Sequence, residues 1–256
     1  MKNSTISNNR KRSIKLWAII FWLFVWQGVS IYIGREILLA SPLAVVNRLG
    51  HLVITSNFWS SILFSFQRII TGFFLATFVG IILATFAARF RFIEQLLVPL
   101  ILFVNATPVA SIVILLLIWF SSRPLAIIIS FLMVLPIVYT NILNGIKSTD
   151  TKLLEMAEVF DMSLRRRIFY IYVPQIFPFF KAASIVGLGI SWKSGIAAEV
   201  IGTPSGSIGA NLHQARIFLA TPDVFAWTVT IIIISTLFER IFMFLLAQAM
   251  NRLERL

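Results

Sequence analysis

The sequence predicts an all-α membrane protein, a polytopic bundle of about six transmembrane helices. Three observations carry that reading. Hydrophobic residues make up 59% of the chain and charged residues 12%, whereas a soluble domain carries about twice that share of charge. Several windows approach or exceed the roughly 20 apolar residues that cross a hydrocarbon core. Lys and Arg gather in alternate loops, the asymmetry that sets membrane orientation. The length fits one bundle, and no hydrophilic run is long enough for a second domain. The expected organisation is therefore a basic cytoplasmic tail over residues 1–15 and a single transmembrane domain over residues 16–256, with a polar cytoplasmic loop at 148–174.

Composition also excludes whole classes. The net charge of +12 would suggest nucleic acid in a soluble protein, but here it is accounted for by cytoplasmic basic residues that fix topology, and no nucleic-acid partner is expected. Cysteine is absent, which removes disulfides and thiolate metal sites. Two histidines, His51 and His213, are too few for a histidine-based metal site.

The first span runs from Leu16 to Ile33. A basic stretch before an apolar run also begins a signal peptide, but Gly34-Arg35-Glu36 offers no small-residue cleavage site, so the segment reads as an uncleaved helix. Ser41-Pro42 has the form of an N-cap followed by proline at the first helical position. Val45, Leu49, Leu52 and Val53 then share one face of a short amphipathic helix on the outer surface, with His51 as an interfacial residue. Residues 57–88 hold the second span, entered through a short outer helix. Arg68 lies in its outer half, able to snorkel, and Gly80 permits close packing. Arg89-Phe90-Arg91 forms a basic inner turn.

The third span, Leu96 to Phe120, is interrupted by Asn105-Ala106-Thr107-Pro108. The proline removes a backbone donor, and the break reads either as a plain kink or as a wet, path-lining segment. Ser121-Ser122-Arg123-Pro124 turns outside into a fourth span, Leu125 to Leu143, with Pro136 inside it. The fifth span, Phe177 to Ile201, carries Lys181, Trp192, Lys193 and Glu199. An outer loop from Gly202 to Asp223 ends in the helix-like stretch NLHQARIFLA. The sixth span is Val224 to Phe244, with Glu239-Arg240 toward its inner end. Six spans put both termini on the cytoplasmic side.

The polar stretch between the fourth and fifth spans, STDTKLLEMAEVFDMSLRRRIFYIYVP, is too structured to be a mere connector. Asp150 can cap a helix from Thr151 to about Phe160, with Leu153, Leu154, Ala157 and Phe160 on its apolar side. Asp161-Met162-Ser163 breaks it, and Ser163 can cap a second short helix running through Arg165, Arg166 and Arg167 toward Pro174. Two short helices at an angle make a knob that fits a groove on a partner.

Glu155-Met156-Ala157, Asp161, Ile171 and Val173-Pro174 resemble, at matching spacing, the cytoplasmic pattern E-A-A-x3-G-x9-I-x-L-P of permeases in ATP-binding-cassette importers. Met156, Asp161 and Val173 depart from it. Asp161 matters most, because the glycine makes the turn, but Asp tolerates left-handed backbone better than most residues. Over about residues 39–250 the chain is similar to the nitrate/sulfonate/taurine/bicarbonate-type inner membrane components: Leu39-Ala40-Ser41-Pro42, the Pro108 break, Trp192 with Ala197-Ala198-Glu199, Gly202 to Gly209 and Phe225-Ala226 carry the likeness.

The resemblance implies the type I importer permease fold (MetI-like) in the cell membrane. It implies transport rather than catalysis, with a second permease copy, by default identical, and an external or periplasmic substrate-binding protein. ATP and magnesium would be bound by partner ATPase subunits. No cofactor is expected in this chain, which lacks a G-x-x-x-x-G-K-[ST] loop. The substrate would be a small organic or inorganic anion (sulfonate, taurine, nitrate) or a vitamin precursor. Glu155, Ala157, Asp161, Ile171 and Pro174 are the expected ATPase-coupling residues.

Asn105, Thr107, Pro108, Lys193 and Glu199 are the candidates for lining a translocation path. Lys193 and Glu199 are six residues apart and point in different directions on a regular helix. Asn141 and Asn144 serve as path or interhelical residues. Arg165, Arg166 and Arg167 read as topology determinants and headgroup contacts. The competing readings are an intramembrane serine protease built on Gly189-Ile190-Ser191 with His213, and a secondary transporter, which would have no use for a docking loop.

Overall fold

The computed structural model describes residues 16–253, so the basic tail lies outside the described residues. Within them all regular structure is helical. α1 (Leu16–Ile33) is apolar on every side, as a lipid-facing span must be. Two hydrogen bonds tie it to the following linker: Trp26 Nε1 donates to Ala40 O at 3.0 Å and Ser30 Oγ donates to Leu39 O at 3.1 Å. α2 (Pro42–Val53) begins as its sequence predicts, with Ser41 Oγ accepting from Ala44 N at 3.2 Å. α3 (Ser56–Arg89) is one unbroken helix. The short separate outer helix expected before the second span does not exist, because nothing from Ser56 to Thr71 removes a backbone donor and the ladder simply continues.

α4 (Arg91–Ala106) and α5 (Val109–Trp119) meet at 104°. The break at Asn105–Pro108 is thus a corner rather than the plain kink that the sequence left open. Pro108 excludes Thr107 from helical backbone, and Thr107 sits at φ −85°, ψ 128°. Its hydroxyl donates to Phe103 O at 2.7 Å.

α6 (Leu125–Lys147) accommodates Pro136 without a break. α7 (Thr151–Val159) is followed by α8 (Leu164–Arg167), a π-helical turn (Ile168–Tyr172) and α9 (Val173–Gly202). The second helix of the polar stretch is therefore not short: from Leu164 to Gly202 the chain is one helical span of 39 residues. Pro174 has no N–H to give the preceding turn, and the backbone absorbs the loss by widening to a π-turn in which Val173 N bonds Ile168 O. α10 (Ile208–Ile217) and α11 (Thr221–Leu253) complete the fold.

α6 is the axis of the bundle, packed along its length between α3 and α9. Phe73, Ala76, Val134, Val138 and Leu188 meet there. Gly80 permits this approach, since a Cβ on it would lie 2.9 Å from Val138 Cγ1. α2 packs Val45, Leu49 and Leu52 around Ala226 of α11, and Arg48 pairs with Asp223 beside them.

Among the described residues five helices are long and apolar enough to cross a membrane, and the α4–α5 pair makes a sixth crossing if counted as one. It does carry the chain from end to end. Lys147 Nζ, at the close of α6, donates to Glu94 at the start of α4 at 2.6 Å, while Ile112 and Val113 of α5 pack on Leu125 and Ile129 at the opposite end of α6 and on Ala198. One end of the bundle gathers Arg89, Arg91, Lys147, Lys152, Arg165, Arg166 and Arg167, and the other carries Arg35, Arg48, Arg123 and Arg216.

Candidate functional site

The site begins at the basic end, where α7 projects from the bundle. Asp150 Oδ1 accepts from Lys152 N at 2.9 Å and so caps α7, while Asp150 N donates to Gln175 Oε1 at 2.9 Å and anchors the cap to α9. The helix ends in a Schellman turn: Met162 N bonds Ala157 O at 2.9 Å and Asp161 N bonds Glu158 O at 3.0 Å. That geometry requires a left-handed residue at position 161, and Asp161 has φ +47°. The aspartate does the work of the glycine it replaces. Arg167 locks the turn from the following helix, its Nε donating to Met162 O at 3.0 Å and its Nη2 to Ala157 O at 3.4 Å. The sequence reads Arg167 as a topology determinant and headgroup contact, and its structural role depends on a contact that spacing does not reveal.

The five coupling candidates divide into two groups. Ala157 and Ile171 are buried and seat the knob, with Pro174 half-buried behind them. Glu155 and Asp161 are exposed at its tip. The apolar side of α7 divides as well. Leu154 and Ala157 face inward, but Phe160 does not: it is 74% exposed and stands with Val159 at 83%, Leu164 at 72% and Met156 at 46%. Phe160 was expected to share the face of Ala157. The helix ends at Val159, so Phe160 falls on the cap and turns outward. The knob therefore presents an apolar patch edged by Glu155, and an exposed patch of this kind marks a docking surface.

At the opposite end Glu199 is fully buried. Its Oε2 accepts from Ser65 Oγ at 2.6 Å and from Gly209 N at 3.2 Å, and Ser65 Oγ in turn accepts from Ile208 N at 2.9 Å. The carboxylate thus sits at the start of α10, where unpaired backbone N–H groups favour an anion, and fastens α3, α9 and α10 together. That packed junction gives it no open face onto a path. Gly209 has no room for a side chain, since a Cβ there would overlap the backbone of Glu199 and Val200. Arg68 is partly exposed. Its guanidinium lies 3.7 Å above the Phe64 ring, and Nη1 is buried.

Of the other path candidates, Asn105 and Pro108 are exposed and Thr107 half-buried, all at the α4–α5 corner. Asn141 is half-buried and its Nδ2 donates to Ile137 O at 2.8 Å, while Asn144 is exposed. Lys193 is exposed and forms no ion pair with Glu199. It lines a groove of about 330 Å³ between α9 and α11 with Ser235 and Glu239. Glu239 was placed in the sixth span without a role, and the pairing of the two faces is tertiary information.

The protease constellation is not assembled. Ser191 is fully buried and its hydroxyl donates to Leu188 O at 2.8 Å, while His213 lies on α10. A nucleophile needs its base within hydrogen-bond reach and an approach for substrate.

A family model described as binding-protein-dependent transport system inner membrane component matches residues 76–255. The putative aliphatic sulfonates transport permease protein SsuC of Bacillus subtilis (strain 168) is 26% identical over 216 residues, covering 83% of this chain and 78% of that protein. The taurine transport system permease protein TauC of Escherichia coli (strain K12) is 25% identical over 238 residues, 90% of this chain and 86% of its own. The nitrate import permease protein NrtB of Synechococcus elongatus is 25% identical over 205 residues, 76% of this chain and 73% of its own.

Proposed function

The chain belongs to the binding-protein-dependent transport system inner membrane component family, and from that premise we propose that it is the transmembrane permease subunit of an ATP-binding-cassette importer. The observation that carries this reading is the knob: a capped turn at the basic end, with an apolar tip edged by Glu155 and no partner for that tip among the described residues. A groove on an ATPase subunit is its occupant. ATP and magnesium bind there, on another polypeptide. Closure of the ATPase pair drives transport only by favouring one permease state over the other, so the knob must be held differently in the two states.

The basic end faces the cytoplasm, with both termini on that side. Two copies of the chain enclose the path about a two-fold axis, and a binding protein delivers cargo to the outer loops around α10. The α4–α5 corner, with Asn105, Thr107 and Pro108, and the face of α9 bearing Lys193 line the path, while Glu199 fastens its outer end from behind. The cargo is a small organic or inorganic anion such as a sulfonate, taurine or nitrate, or a vitamin precursor.

Glu155→Lys tests the reading. In membrane vesicles holding the whole transporter, ATP-driven uptake is expected to fall by about tenfold or more, the effect of turning one favourable charge contact into a repulsive one. Membrane insertion is expected to stay normal. Undiminished uptake overturns the docking role.

A further inference from the structure

Glu239 lies in the interior of α11, 18 residues from Thr221 and 14 from Leu253, or about 27 and 21 Å from its two ends at 1.5 Å per residue. Lys193 lies nine residues, about 14 Å, short of the outer end of α9. Lys193 is at a depth where a charge in a membrane protein is costly and retained for a purpose, and Glu239 lies toward the inner end of its apolar stretch. They open onto the same groove, with Ser235 between them on the α11 side and Trp192 forming an apolar wall. They do not neutralise one another: the ion pairs among the described residues are Arg48–Asp223 and Lys147–Glu94. The floor is open at Gly189, where an added Cβ would meet nothing within 4 Å.

An ammonium and a carboxylate held apart in one apolar groove are complementary to a solute that carries both charges. We propose that this groove is a binding site for a small zwitterion, its anionic group on Lys193 and its cationic group on Glu239, with Ser235 Oγ, whose own proton is on Ile232 O at 3.2 Å, as an acceptor for the cationic group. The volume of about 330 Å³ suits a molecule of a few heavy atoms. The inference rests on the importer reading for its meaning, since it narrows the cargo to zwitterions such as aminosulfonates, but the site itself is a property of this chain alone.

The chain has no cysteine, so Ile232→Cys places a single thiol in the groove and leaves Lys193, Ser235 and Glu239 in place. With the full chain in lipid nanodiscs, a small membrane-impermeant methanethiosulfonate is expected to label that thiol. Taurine, which carries both charges, is expected to protect it. Ethanesulfonate and ethylamine, each carrying one, are expected to protect only at concentrations about tenfold or more higher, since each charge-assisted contact is worth at least that in affinity. Adding Lys193→Met or Glu239→Gln is expected to reduce taurine to the level of the singly charged compounds. Gly189→Leu, whose Cβ would meet nothing within 4 Å and which leaves both charges, is expected to abolish protection. A thiol that water-soluble reagent cannot reach, equal protection by all three compounds, or protection indifferent to Lys193 and Glu239 overturns the proposal. The measurement uses neither ATP nor partner subunits, so failure of ATP-driven uptake and failure of this site are read separately.

Discussion

Phe160→Ala measures how much the knob's apolar tip contributes to docking. Full burial of a phenylalanine side chain contributes about 1.5–3 kcal/mol relative to leaving it exposed. Phe160 is 74% exposed in the isolated chain, so about three quarters of that, on the order of 1–2 kcal/mol, is available to a partner that covers it. The substitution is therefore expected to weaken the complex with the ATPase subunit about 5–30-fold. It should do so without disturbing the knob, because Phe160 lies on the cap, where only its backbone takes part in the turn. The assay is titration of the detergent-solubilised chain with purified ATPase, with thermal unfolding of the chain alone as the control. Leu154→Ala is the internal comparison. Leu154 faces inward and is half-buried, so that substitution should lower the unfolding temperature. Unchanged affinity for Phe160→Ala would refute the reasoning, since it would mean that the exposed patch stays in water when the transporter assembles.

The other outcomes follow from the turn, the outer junction and the buried serine. Asp161→Gly is expected to keep or raise coupled uptake, because glycine occupies φ +47° without the penalty of a side chain. Asp161→Val, a β-branched residue forced into the same region, is expected to abolish it; equal uptake by the two variants would remove the turn from the mechanism. Glu199→Ala leaves Gly209 N and the Ser65 hydroxyl without their acceptor and should cost about 3 kcal/mol in stability. Glu199→Gln keeps an acceptor oxygen and should cost about 1 kcal/mol; in detergent, an unfolding temperature for Glu199→Ala equal to that of the unaltered chain would show that the junction does not hold the fold. Ser191→Ala removes only a hydroxyl bonded to Leu188 O and is expected to leave uptake intact, and loss of uptake from a well-folded variant would reopen the catalytic reading.

What the sequence revealed was what periodicity and local chemistry determine. Apolar length placed the spans, and the caps at Ser41 and Asp150 were legible because capping needs only a side-chain oxygen and the two or three residues after it. Asp161 was legible too, since the resemblance to the importer pattern puts it where a glycine makes the turn. What escaped depended on where helices stop or on what faces them. Proline at 108 marks a break but does not fix its angle, which follows from how α5 packs on α6 and α9. Phe160 looked inward because the helix was extended one residue too far. Glu199 stood out as an intramembrane charge, yet its partners Ser65 and Gly209 come from segments 134 and 10 residues away, and only their meeting shows that the carboxylate is a fastening.

The same contacts bear on how a push at one end is felt at the other. Between the knob and the outer junction the chain is a single helical span from Leu164 to Gly202, about 58 Å at 1.5 Å per residue. A helix resists compression far better than it resists bending at a weak point, and the weak point here is identified: the π-turn Ile168–Tyr172 before Pro174, where backbone bonds are already displaced. Arg167 clasps the knob on one side of that turn and Gln175 holds its cap on the other, so the knob is bonded across the weak point rather than hinged freely on it. A partner that displaces α7 therefore moves α9 as well. At the far end α9 cannot move independently of α3 and α10, because Glu199 is bonded to Ser65 and to Gly209. Loosening either set of bonds, by Arg167→Ala at the knob or Glu199→Ala at the junction, should cut the transmission of motion while leaving the helix itself intact.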